Sequence, residues 1–261
     1  MELRNGARSE MNYFILVPTL RCNLRCDYCQ VSRVSENARG FDWDDMRELG
    51  IATMFIRPVN FQGFARKAFR DARNDDGWDG YCLSFLDALI EHNLEQETAL
   101  SEYYFSYILL RILDPRRQEH VDLRNPNPLG KDYVVIGEKG DLFPSDEARM
   151  LFRTGQIDLR IGHVETGLND RLIDQLNIHA DNRRDPDCVT CVYQAVCGRD
   201  LVDDISRYGR IDVPRLETRH CQRHLAIFDH IMRKLAFASD AEIEVMARMA
   251  GLAAIELSAY R

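Results

Sequence analysis

Leu20-Arg21-Cys22-Asn23-Leu24-Arg25-Cys26-Asp27-Tyr28-Cys29-Gln30 decides the reading of this chain: it places three cysteines at CxxxCxxC spacing on one short polar segment. Just before it, Tyr13-Phe14-Ile15-Leu16-Val17 is an uninterrupted apolar run ending at Pro18, which suits a buried strand of a parallel sheet. Thr19 to Gly40 is rich in Arg, Asn, Ser and Cys with no sustained period, so the segment predicts an ordered loop passing into a helix near Asp42. Three thiolates on such a loop can hold three irons of a cubane 4Fe-4S cluster and leave the fourth iron without a protein ligand. A closed structural zinc site needs a fourth Cys or His, and none lies within the loop, so the alternative is a zinc site completed by a distant residue.

The remaining cysteines extend the pattern. Of eight in the chain, three more bunch as Cys188, Cys191 and Cys197, Cys221 follows, and Cys82 stands apart. Four thiolates in this order suit either a tetrahedral zinc or all four irons of a cubane. The N-terminus has no apolar stretch behind its charges and no small-residue cleavage site, which predicts a cytoplasmic, reducing address where clustered thiols more often hold metal than form disulfides.

Together these residues resemble the radical S-adenosylmethionine superfamily, whose signature includes an aromatic residue before the third cysteine, here Tyr28. The resemblance implies that Cys22, Cys26 and Cys29 hold a 4Fe-4S cluster whose open iron chelates S-adenosylmethionine, with the Tyr28 backbone contributing to the adenine pocket. It implies reductive cleavage to methionine and a 5′-deoxyadenosyl radical, fed by an electron donor such as a flavodoxin or ferredoxin, with the difficult chemistry carried by the cofactor. The later set, Cys188, Cys191, Cys197 and Cys221, resembles the SPASM or twitch region of peptide-modifying maturases and implies an auxiliary 4Fe-4S cluster, with structural zinc as the alternative. Two positions depart from the full SPASM pattern: Ser145 stands where a cysteine often sits, and Leu201 where another would follow Cys197. These departures point to one auxiliary cluster rather than two.

Asn12 to Arg33, Phe55 to Asn60 and Phe143 to Glu147 are similar to the maturase family of the His-Xaa-Ser peptide system. That similarity implies a ribosomal peptide as substrate. Length argues for an abbreviated core. A full eight-unit barrel takes about 250 residues, so six units want near two hundred, whereas Cys29 and the segment starting at Tyr133 stand about a hundred residues apart. No Gly-Gly-Glu follows the cluster loop. The expected fold is therefore α/β: an abbreviated partial (β/α) barrel over residues 1–130, then a cysteine-rich SPASM-like region with C-terminal helices over residues 131–261. A truncated, catalytically inactive iron-sulfur or zinc-binding relative is the competing reading, and no catalytic side chain is assigned.

Local patterns fill in the elements. Thr53-Met54-Phe55-Ile56 reads as a second strand, and apolar residues at three- and four-residue steps from Tyr81 to Leu113 predict two helices separated near Asn93. Arg124 to Gly130 is the breaker segment, and Tyr133-Val134-Val135-Ile136 with Asp141-Leu142-Phe143 predicts a hairpin across Gly137-Glu138-Lys139-Gly140. Ser239 and Glu242 predict a capping box opening the last helix.

Several residues are set aside. Cys82 reads as a buried small hydrophobe, and His220 and His224 as exposed helix histidines outside the site. Asp185, Asp187, Asp203 and Asp204 read as solvated surface. Arg57 divides evenly between a barrel-rim residue and a salt bridge. Interspersed charges, Lys+Arg 34 against Asp+Glu 42 and a net charge of −8, argue against nucleic-acid or anionic-membrane partners. The longest apolar runs are far short of the ~20 residues of a membrane span.

Overall fold

The computed structural model describes residues 43–56, 62, 76–114, 116 and 123–253. The first cysteine set, Tyr28 and Arg57 lie outside the described residues. Helix α1 (Trp43–Glu48) leads through Gly50, which adopts φ 66°, into β1 (Thr53–Met54). Helix α2 (Asp76–Glu95) then carries the chain back to β2 (Ser101–Glu102), which lies parallel to β1 with Thr53 opposite Ser101. Parallel neighbours need such a crossover, so β1, α2 and β2 form one βαβ unit. Helix α3 (Tyr103–Leu113) follows at once. The two helices expected between Tyr81 and Leu113 are both present. Their break comes just after Glu95 because Asn93, fully buried, turns the chain: its Nδ2 donates to the Leu100 carbonyl at 2.8 Å and its Oδ1 accepts from Leu100 N at 2.9 Å.

Glu102 locks this unit. Its buried carboxylate accepts from Ile56 N (3.0 Å), just past β1, and from Phe105 N (2.7 Å) in the first turn of α3. One side chain thus caps a helix and ties it to the neighbouring strand, satisfying an N–H group that a helix start leaves without an intrahelical partner.

Beyond the breaker segment a four-stranded antiparallel sheet forms in the order β3 (Val135–Ile136), β4 (Asp141–Phe143), β5 (Gly162–His163), β6 (Gly167–Leu168). The first pair is the expected hairpin, with Val135 opposite Phe143; its turn closes through Gly137 N donating to Asp141 O at 2.8 Å, and Gly140 supplies φ 89°. Helix α4 (Asp146–Arg153) intervenes, and α5 (Asp170–Leu176) and α6 (Leu201–Tyr208) follow the sheet. Ser145, the residue standing where a cysteine was weighed, caps α4 by accepting from Ala148 N at 3.2 Å, and Leu201 is 1% exposed in the core. Both departures from the cysteine pattern are thus occupied by residues with structural work.

Two apolar cores divide the described residues. One gathers Leu86, Leu89, Phe105 and Ile108 with Ile227, Phe228 and Ile231; the other gathers Leu142, Leu151 and Ile161 with Leu201, Val202 and Ile205. The last helices, α7 (Arg219–Phe237) and α8 (Asp240–Met249), belong to the first. The capping box at Ser239 and Glu242 is present, and the Met249 carbonyl near the other end of α8 accepts from Ser101 Oγ (2.7 Å) and Ser106 Oγ (3.0 Å). The described elements are mixed helix and sheet, and no barrel is formed among the described residues. No helix among them is long and apolar enough to cross a membrane.

Candidate metal centre

Three of the four cysteines of the second set lie on a loop built from consecutive tight turns. Asp185 starts it: its carbonyl accepts from Cys188 N (3.1 Å) and Val189 N (3.0 Å), and its Oδ1 accepts from Asp187 N (3.0 Å). Cys191 N then donates to Cys188 O, Gln194 N to Cys191 O, and Cys197 N to Tyr193 O, all at 2.9–3.1 Å. Asn182, 1% exposed, closes the loop from beneath, its Nδ2 donating to the carbonyls of Gln194 (2.9 Å) and Cys197 (2.8 Å).

The fourth cysteine arrives from another segment. Thr218 caps α7, accepting from Cys221 N at 3.3 Å, which places Cys221 in the helix's first turn. Tyr193 pins the loop to the same helix: its hydroxyl donates to Asp229 at 2.5 Å, and its ring stacks on Phe228 with centroids 5.1 Å apart.

All four are free, partly buried thiols. Burial pushes Cys188 and Cys197 up to about 12; Asp185 adds most to this at Cys188, and at Cys197 the neighbouring Cys221, Cys188 and Cys191 add to it in that order. Cys221 is likewise raised, by burial first, with Cys191, Asp187 and Asp185 adding to it and Arg215 opposing. Cys188, Cys197 and Cys221 are thus each made harder to ionise by neighbouring cysteines of the set. Among the described residues no group of three or more His, Cys, Asp or Glu stands placed to hold a metal ion.

The surrounding charges correct the sequence reading. Asp204 is fully buried and pairs with Arg215, Nη1 to Oδ2 at 2.5 Å; Asp185 pairs with the buried Arg199 at 2.9 Å; Asp203 accepts from Gln62 Nε2 at 2.9 Å and from Arg207. Asp187 accepts from Arg215 N at 2.7 Å. These acids are structural members of the site rather than solvated surface, because each has a partner that offsets its desolvation. His220 and His224 are also buried rather than exposed, at 7% and 3%. Burial holds His220 well below its ordinary value, with His224 next in effect, and its Nε2 has no hydrogen-bond partner. His224 Nδ1 meets the His220 carbonyl at 2.6 Å, and its Nε2 meets the Tyr104 hydroxyl.

Cys82 matches its expectation: it is buried within α2, and its thiol is pushed up to about 12 by burial, with Glu102 and Asp79 adding to it. Arg199, Arg215, Asn182 and Thr218 were not singled out from the sequence, although they build the loop and its junction with α7. The chain matches no family model, no curated protein and no solved structure.

Proposed function

We propose that this chain is an iron-sulfur maturase that modifies a ribosomal peptide of His-Xaa-Ser type through a 5′-deoxyadenosyl radical. Cys22, Cys26 and Cys29 would hold the S-adenosylmethionine cluster, and Cys188, Cys191, Cys197 and Cys221 an auxiliary 4Fe-4S cluster. The observation that supports the reading is the second set: four free cysteines from two separate segments, with neighbours in the set making Cys188, Cys197 and Cys221 harder to ionise. Four thiolates suit either a tetrahedral zinc or all four irons of a cubane, and the S-adenosylmethionine resemblance of the first set is what favours iron-sulfur here.

When bound, the first cluster and S-adenosylmethionine supply a radical that takes a hydrogen atom from the substrate. The chain's own residues hold and shield. Asn182 and Asp185 fix the loop backbone so that Cys188, Cys191 and Cys197 keep their spacing, and Thr218 fixes Cys221. Tyr193, stacked on Phe228 and bonded to Asp229, ties the loop to α7.

The test is 5′-deoxyadenosine formation by anaerobically reconstituted protein given S-adenosylmethionine and dithionite. The proposal expects product above the Cys26→Ala background. No product from protein with loaded clusters would overturn it and leave a metal-binding protein without turnover.

A further inference from the structure

We draw no further inference here: the strongest candidate, the buried side-chain cluster of His220 and His224 on α7 with Tyr104 on α3, in which His220 Nε2 has no hydrogen-bond partner, adjoins Cys221 and so belongs to the site already described, and nothing in the structure shows a ligand that reaches it.

Discussion

Gly198→Ala is expected to cost about 3 kcal/mol of stability, because the added methyl has nowhere to go. A Cβ at Gly198 would stand 2.5 Å from the Leu123 carbonyl carbon, 2.7 Å from Leu123 Cα and 2.8 Å from Arg124 O. All three are backbone atoms, so no side chain can swing aside. Gly198 is buried beside Cys197, where the loop of the second cysteine set passes against the end of the first core; Leu123 belongs to that core and is fully buried. Relief must therefore come from moving the loop away from the core. That movement also disturbs Asn182, which holds the Cys197 carbonyl. At the ~2–4 °C per kcal/mol typical of a chain this long, the melting temperature should fall by roughly 10 °C. Gly80→Ala serves as the control, since nothing lies within 4 Å of its Cβ position on α2. A Gly198→Ala protein melting with the wild type would show that loop and core are not packed as described.

Asp204→Ala is expected to be the most damaging of the charge deletions, at about 3–5 kcal/mol, because it leaves Arg215 buried without a counter-ion. Asp204 is fully buried, with desolvation pushing its carboxyl up against the pull of Arg215, so the pair is a balance of two large opposing effects. Deleting both partners together should cost less than deleting Asp204 alone, the non-additivity expected of directly coupled groups. Urea denaturation of the single and double variants measures this. Equal losses in the two would show that Arg215 does not depend on Asp204.

The elements announced by local signals were legible in the sequence: the helices either side of residues 96–100, the hairpin closed at Gly137–Gly140, and the Ser239 cap each depend on neighbours within a few positions. The short β2 was missed because two residues between helices carry no period; it exists because Ser101 and Glu102 find β1 across the α2 crossover. The buried charges were missed for a related reason. An aspartate reads as surface unless its partner is visible, and the partner of Asp204 lies eleven residues away, beyond the end of α6. A signal was nevertheless present: Asp204 falls three residues after Leu201 and one before Ile205, on the apolar face of α6. Likewise His220 and His224 continue the spacing of Phe228, Ile231 and Leu235 along α7, so the apolar stripe ran into the histidines. The cysteine spacing marked four residues of the candidate centre, whereas the groups that hold the loop and Cys221 in place, Asn182, Arg199, Arg215 and Thr218, are ordinary residue types whose role exists only in three dimensions.

The measurement that tests the account most directly is the iron, sulfide and zinc content of full-length protein with Cys22, Cys26 and Cys29 replaced by alanine, purified and reconstituted without oxygen. The account predicts about four irons and four sulfides per chain, lost again when Cys197 is also replaced. About one zinc per chain with no iron would contradict it.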